Sequence, residues 1–132
     1  MMRQPRPFRF GAGFFGAPSR GAWVSLARRA EQLGYATLLI PDHFQRQLAP
    51  LTALMAAADA TQTIRVGCFV FGNDFRHPAV LAKEVATLDL LSGGRFEVGM
   101  GAGWLAADHE RSGIPYGAKS PSELFERYAA RR

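Results

Sequence analysis

The sequence has one cysteine, no long apolar run and no dense basic segment, and each absence excludes a class of protein. Cys68 is the only cysteine among the 132 residues, so an internal disulfide is impossible. No apolar run approaches the roughly 20 residues of a membrane span. The two arginines before Pro7 are not followed by the apolar segment of a secretory signal. These features predict a cytoplasmic protein with no membrane partner.

Acidic residues are scarce, with 11 Asp and Glu against 16 Lys and Arg, which gives a net charge of +5. Such a balance can indicate a polyanionic partner such as nucleic acid. The arginines are scattered along the chain, however, and neither an aromatic-interleaved basic stripe nor a nucleic-acid motif accompanies them. We therefore interpret the positive charge as a solvated surface and predict no nucleic-acid partner.

Four short apolar segments recur along the chain and predict β-strands. They cover residues 8–14, 36–40, 64–70 and 95–100. Their starts lie about 28 to 31 residues apart, which is the length of one βα unit.

Helical patterns fill the intervals between the strands. In the first interval, apolar residues repeat at helical spacing, with Ser19 as a candidate N-cap and Gly34 at a C-terminal stop. Pro50 and Pro78 stand at the favoured first position of the second and third helices. The order β-α-β-α-β-α-β predicts a parallel sheet with right-handed crossovers.

Two α/β architectures satisfy this order. An open, doubly wound sheet can be complete at this length, whereas a (β/α)8 barrel requires about 250 residues and would be represented here by its first half. In both architectures, functional residues collect at the carboxyl ends of the strands.

The segment after the second strand contains Asp42 and His43. Histidine titrates near neutrality and a carboxylate can orient it, so the two residues form a usable acid/base pair. The alternative is an aspartate that caps the next turn beside an incidental histidine.

The segment after the third strand combines turn residues with the sequence Arg76-His77-Pro78. Gly72 and Asn73 tolerate positive φ and predict a sharp turn or bulge. We interpret Arg76-His77-Pro78 as the structural start of a helix.

The fourth strand leads into Gly99-Met100-Gly101-Ala102-Gly103-Trp104. Alternating glycines allow a backbone to approach a flat ring or a phosphate and expose N–H donors. The alternative is that the glycines pack a barrel interior. The segment is not a dinucleotide fingerprint, which requires a further glycine and a position after the first strand.

Other catalytic motifs are missing. The sequence contains no GxSxG, P-loop or CxxC motif. His43, His77 and His109 lie on separate segments without the spacing of metal ligands, so we predict no metal site. On residue type alone, Cys68 is a small buried residue.

The strand-end segments together resemble the luciferase-like monooxygenase family. Asp42-His43-Phe44 is followed by RHPAVLAKE, TLDLLSGGR and GMGAGW in this order and spacing. The resemblance covers residues 8–116 and is strongest to the branch that uses the deazaflavin coenzyme F(420). It implies a TIM-barrel oxidoreductase that binds F(420), or alternatively FMN, at the mouth of the barrel. Such enzymes transfer a hydride to or from a small-molecule substrate, or activate oxygen in the FMN branch.

The resemblance also implies roles for individual residues. His43 would be the catalytic acid/base, and Asp42 would line the cofactor ring. The end of the third strand would form a bulge behind the ring, with a non-prolyl cis peptide of the kind common in this family. The remaining contacts would come from the carboxyl end of the fourth strand. The implied cofactor-binding residues of these two strands are Cys68, Phe69, Val70, Phe71, Gly101, Ala102, Gly103 and Trp104.

The sequence departs from the family at its carboxyl end. We expect residues 1–116 to form the N-terminal half of a TIM barrel, truncated to its first four β/α units, and residues 117–132 to form a divergent tail that is a short helix or disordered. Open sheet edges predict self-association, a homodimer or a partner chain. The alternatives to an oxidoreductase are a non-catalytic barrel fragment and a small open-sheet domain that binds a phosphorylated ligand.

Overall fold

The computed structural model describes residues 7–116, in which strands and helices alternate as the sequence predicts. The strands are β1 (Gly11–Gly13), β2 (Thr37–Ile40), β3 (Arg65–Gly72) and β4 (Phe96–Gly101). The helices are α1 (Arg20–Gln32), α2 (Pro50–Asp59), α3 (Pro78–Leu91) and α4 (Ala106–Ser112). The expected tail at residues 117–132 lies outside the described residues.

The helix ends follow the predicted capping residues. The Ser19 hydroxyl accepts a hydrogen bond from the Ala22 N–H at the start of α1. Gly34 follows that helix with φ +79°, a conformation that favours glycine. Pro50 and Pro78 open α2 and α3. These local signals explain why the helix boundaries were predictable.

The sheet is parallel, with the strand order β1-β2-β3-β4. A doubly wound sheet requires a reversal of strand order, and none is present among the described strands. The open, doubly wound alternative is therefore wrong. α1, α2 and α3 bury one face of the sheet, and the strand side chains of this core are Leu38, Ile40, Val66, Cys68, Phe71 and Phe96.

The sheet curves towards its other face. Arg9, just before β1, donates a hydrogen bond of 3.1 Å to Glu97 in β4. A flat sheet would hold these two strands about 14 Å apart, since neighbouring strands lie about 4.8 Å apart. The pair therefore closes across a concave surface, as in one side of a barrel.

Arg9, Thr37, Arg65 and Glu97 form a polar cluster near the amino ends of the strands, called here the amino-end cluster. Glu97 accepts from Arg65 at 2.6 Å and from Thr37 at 3.2 Å, in addition to Arg9. Burial alone would raise the pKa of Glu97, but these hydrogen bonds hold it below its usual value. The cluster ties three strands together on the concave face.

Glu31 ties α1 to the segment that enters β3. One of its carboxylate oxygens accepts hydrogen bonds from the backbone N–H groups of Gln62, Thr63 and Ile64, at 2.6 to 3.0 Å. Burial opposes ionisation, but these bonds lower the pKa of Glu31 to about 2. A single surface carboxylate thereby satisfies three consecutive backbone donors.

β1 is shorter than the strand predicted at residues 8–14. Its register with β2 covers only Gly11–Gly13, and a backbone bond extends the pairing on each side, at Phe10 and Phe14. Phe8 and Phe10 are exposed, so the apolar run that suggested a longer strand is not buried within the described chain.

Within residues 7–116, no helix is long and apolar enough to cross a bilayer.

Candidate active site

β3 contains a bulge near its carboxyl end. Its register with β4 shifts between Cys68 and Phe71, where one additional residue of β3 is inserted. The Phe69–Val70 peptide bond within the bulge is cis. The bulge and the non-prolyl cis peptide expected from the family resemblance are therefore confirmed.

Two glycines of β4 make room for this bulge. A Cβ atom at Gly99 would lie 2.5 Å from the Cys68 carbonyl oxygen and 2.9 Å from the Val70 side chain. A Cβ atom at Gly101 would overlap the Cγ2 methyl group of Val70. The interpretation of these glycines as packing residues is thus supported at both positions.

A cleft of about 310 Å³ opens at the carboxyl ends of β2, β3 and β4. It brings together most of the predicted site residues, namely Asp42, His43, Phe69, Val70 and the segment 101–104. It also includes residues that the sequence did not single out, among them Phe75, Leu105 and Asp108. Convergence of three strand ends on one cleft is the arrangement expected for a barrel active site.

Cys68 and Phe71 do not line this cleft. Cys68 is 2% exposed and Phe71 is fully buried, and both side chains belong to the core beneath the helices. Burial raises the pKa of the Cys68 thiol far above its usual value. Cofactor contacts by these two side chains are therefore not supported. The reason is that side chains alternate between the two faces of the strand, and the bulge presents only Phe69 and Val70 to the cleft.

Asp42 is engaged in holding the turn after β3. Its carboxylate accepts from both terminal nitrogens of Arg76, one of them at 3.0 Å, and from the Gly72 N–H at 3.0 Å. Burial would lower the pKa of Arg76, but hydrogen bonding to Asp42 raises it overall. The Arg76 guanidinium also lies 5.3 Å from the centre of the Phe71 ring. The predicted helix start at Arg76-His77-Pro78 is confirmed, since His77 caps α3, but the pairing of Arg76 with Asp42 was not predicted.

His43 has a different carboxylate partner from the one the sequence suggested. Its Nδ1 lies 2.6 Å from Asp108 Oδ2, and the Phe44 N–H donates to Asp108 Oδ1 at 2.9 Å. Asp42 is not the group that orients the imidazole, so the Asp42–His43 pairing was wrong in this respect. On its other side, His43 contacts Trp104 edge-on, with ring centroids 6.1 Å apart.

Asp108 comes from α4, 65 residues after His43. It is 1% exposed, which is unusual for a carboxylate that has no arginine or lysine as a hydrogen-bond partner within residues 7–116. No motif in the sequence marks it. The only available signal was an acidic residue shortly after the glycine-rich segment, and such residues are common.

The other two histidines lie outside the cleft. His77 accepts the Ala79 N–H as a helix cap. His109 is buried between Phe75 and Tyr116, with its Nδ1 3.3 Å from the Ile114 carbonyl oxygen. Among residues 7–116, no three His, Cys, Asp or Glu side chains are arranged to hold a metal ion.

The cleft is bordered by exposed aromatic side chains and by glycine backbone. Phe69 and Trp104 expose 70% and 73% of their surface at its edges. Gly103 has no side chain to cover its backbone, and its φ of +77° is one that favours glycine. A volume of about 310 Å³ is at the lower end of the range for small-molecule sites. The described residues could therefore hold the ring system of a deazaflavin or flavin through Val70, Gly101, Gly103 and Trp104.

Comparison with known proteins identifies the family. The profile of the luciferase-like monooxygenases matches residues 7–129 of this chain. The chain therefore belongs to the luciferase-like monooxygenase family, as its motifs indicated, and its parallel sheet is that of the family's TIM barrels.

The relatives include both monooxygenases and deazaflavin enzymes. The 4-hydroxyprotoasukamycin monooxygenase of Streptomyces nodosus subsp. asukaensis is 32% identical over 103 residues, covering 74% of this chain and 28% of that protein. The structure of the coenzyme F(420)-dependent tetrahydromethanopterin reductase from Methanopyrus kandleri superposes with a TM-score of 0.74 at 31% identity, covering 82% of this chain and 30% of that one. A Pseudomonas putida Baeyer–Villiger monooxygenase component, solved in complex with FMN, has a TM-score of 0.73 at 24% identity, covering 86% and 35%, and supports the fold alone.

The chain spans only part of its relatives. It covers between 24% and 42% of the length of eight curated proteins that it matches.

Proposed function

We propose that this chain forms the cofactor-facing part of an oxidoreductase that transfers a hydride between coenzyme F(420), or alternatively FMN, and a small organic substrate. The observation that carries the proposal is the placement of the His43–Asp108 pair at the cleft, beside a glycine-rich strand end. Hydride transfer needs its donor and acceptor carbons held close together and an acid/base group for the accompanying proton, and the cleft with His43 suits both needs.

The residues of the cleft would have separate tasks. When bound, the deazaflavin or flavin ring supplies the hydride chemistry. The bulge at Phe69 and Val70 would support one side of the ring, and Trp104 would exclude water from its edge. His43 would accept or release the proton that accompanies the hydride, because its imidazole lies at the edge of the cleft. Asp42, held by Arg76, would fix the shape of the cleft.

The preference for F(420) rests on the sequence motifs and on the relatives. The F(420)-dependent reductase from Methanopyrus kandleri is similar at 31% identity, whereas the FMN complex supports the fold only. The substrate would be a small molecule, and a cytoplasmic location stays a prediction.

Ligand titration tests the proposal. We expect purified chain to change the absorbance or fluorescence of F(420), and more weakly that of FMN, with saturation at micromolar ligand. A Trp104→Ala variant should weaken the change, whereas the matched variant His77→Ala, which alters a helix cap outside the cleft, should not. No spectral change at high micromolar concentrations of either cofactor would remove direct cofactor binding.

Removing the imidazole tests the acid/base role separately. His43→Ala should retain most of the cofactor affinity, because the ring contacts come from other residues. In a protein with a complete barrel, the same change should lower the rate of hydride transfer. Unchanged turnover would remove His43 from this role.

A second candidate function is association rather than catalysis by this chain alone. β1 and β4 are the edge strands of the described sheet, and each has one unpaired side. Exposed Val98 and Met100 on β4 add apolar surface at one of these edges. Self-association or binding of a partner chain would cover these strand edges and the apolar side chains beside them. Sedimentation velocity should then show species larger than a monomer, whereas a monodisperse monomer with a cooperative melting transition would contradict this candidate.

A further inference from the structure

We propose that Asp108 is a positioning residue that fixes His43 as the Nδ1–H tautomer, so that the unprotonated Nε2 serves the cleft. The inference rests on the proposed function, in which His43 exchanges the proton. It adds a residue to that function and states which imidazole nitrogen reacts.

Each oxygen of Asp108 has its own partner. Oδ1 accepts from the Phe44 N–H at 2.9 Å, and a backbone amide can only donate. Oδ2 lies 2.6 Å from His43 Nδ1, the length of a strong charge-assisted hydrogen bond. As a carboxylate, Asp108 can only accept, so Nδ1 must carry the hydrogen.

Asp42, the carboxylate next to His43 in the sequence, is not available to accept a hydrogen bond from His43 Nδ1. Both oxygens of Asp42 accept from Arg76, and one also accepts from the Gly72 N–H. Burial of Asp108, at 1% exposure, keeps water from competing for its oxygens. The partner of Nδ1 is therefore supplied by α4 and not by the segment after β2 that contains His43.

The consequence for His43 is a single reactive nitrogen. A neutral imidazole carries one hydrogen, and placing it on Nδ1 leaves a lone pair on Nε2. With its ring held by Asp108 at one end, His43 would meet a ligand in the cleft as a proton acceptor at Nε2.

The isosteric variant Asp108→Asn gives a sharp test. Its amide oxygen must face the Phe44 N–H, because an NH₂ group there would meet another donor. The NH₂ group is then directed at His43 Nδ1 and favours the opposite tautomer, with hydrogen on Nε2. A similar exchange of tautomer is known for the serine-protease triad.

The measurement is the tautomer of His43 in the 132-residue chain labelled with ¹⁵N-histidine, without cofactor, by long-range ¹H–¹⁵N correlation NMR. His43→Gln identifies the signals of His43 among the three histidines. We expect the parent chain to show Nδ1–H, and Asp108→Asn to exchange the protonated and unprotonated ¹⁵N resonances. Asp108→Glu, which keeps two acceptor oxygens, should retain Nδ1–H.

The control variant is Glu110→Gln, which makes the same chemical change at an exposed position of α4 and should leave the tautomer unchanged. An Nε2–H tautomer in the parent chain overturns the inference, even if no variant folds. An unchanged tautomer in folded Asp108→Asn also overturns it. Because the tautomer is read without cofactor, a failure of F(420) and FMN to bind would contradict the proposed function and leave this result standing.

Discussion

The two ends of the sheet are both held by charged side chains, but in different surroundings. At the amino ends, Arg9 and Glu97 have side chains that are 59% and 37% exposed. At the carboxyl ends, the side chains of Arg76 and Asp42 are only 22% and 6% exposed. Water screens the first pair and is largely excluded from the second.

This difference separates the stabilising role of charge from its role in a site. An exposed ion pair can be lost at small cost, so the amino end tolerates change. A buried pair that loses one partner leaves an uncompensated charge, so the carboxyl end does not. Because water is largely excluded at the carboxyl end, the orientation of His43 there also depends on its protein partners.

The largest expected effect is the loss of the arginine from the buried pair. Arg76→Leu should lower the free energy of unfolding by about 3 kcal/mol, because Asp42 remains buried without a cationic partner. The matched change at the other end, Arg9→Leu, should cost less than about 1 kcal/mol, since Glu97 keeps Arg65 and access to water. Urea denaturation of both variants measures the difference. Equal losses would remove the distinction between the two ends.

An intermediate effect is expected from filling the space beside the bulge. Gly99→Ala should cost about 2 kcal/mol, because its Cβ would collide with the Cys68 carbonyl oxygen and force β3 and β4 apart. Gly13→Ala is the control, since a Cβ atom there meets nothing within 4 Å. Thermal or urea unfolding measures both. If Gly99→Ala lost no more free energy of unfolding than Gly13→Ala, the bulge would be shown to shift and make room for the added Cβ atom.

The smallest effect concerns Glu31 and depends on pH. Its pKa in the folded chain is about 2, below the ordinary 4.5, so the folded state binds this proton less readily than the unfolded state. The stabilisation is therefore complete above the ordinary value and is lost as pH falls towards about 2. Glu31 is a surface group whose bonds are screened by solvent, so the effect is smaller than the pKa difference alone implies. Glu31→Gln should reduce the acid-dependent loss of stability by about 1 kcal/mol or less, whereas Glu110→Gln should leave it unchanged. Unfolding curves recorded between about pH 6 and pH 2 compare the two.

Local signals predicted most of the fold. Ser19, Gly34, Pro50 and Pro78 mark helix ends through contacts within a few residues, and apolar runs mark the strands. The limits of β1 depend on its pairing with β2, which sequence composition does not encode. The order of elements alone is the same for an open sheet and a barrel. The family resemblance predicted the barrel, and the strand order confirms it.

The site was predictable in part for the same reason. His43 and the glycine-rich segment were recognisable because the chemistry of each lies in a short motif. Asp108 and Arg76 were not, because each acts on a residue more than 30 positions away. Cys68 and Phe71 were assigned to the cofactor because the motif covered the whole strand end, whereas the bulge directs only Phe69 and Val70 to the cleft.

The contrast between the two tryptophans gives the chain a pair of separate optical reporters. Trp23 is 3% exposed, and its indole N–H donates to the Ala53 carbonyl at 2.8 Å, which links α1 to α2 within the core. Trp104 lies largely exposed beside His43. Emission from Trp23 would therefore follow the integrity of the helical layer, and emission from Trp104 would follow events in the cleft. With Trp104→Phe and Trp23→Phe, occupancy of the cleft and unfolding can be observed independently in one chain.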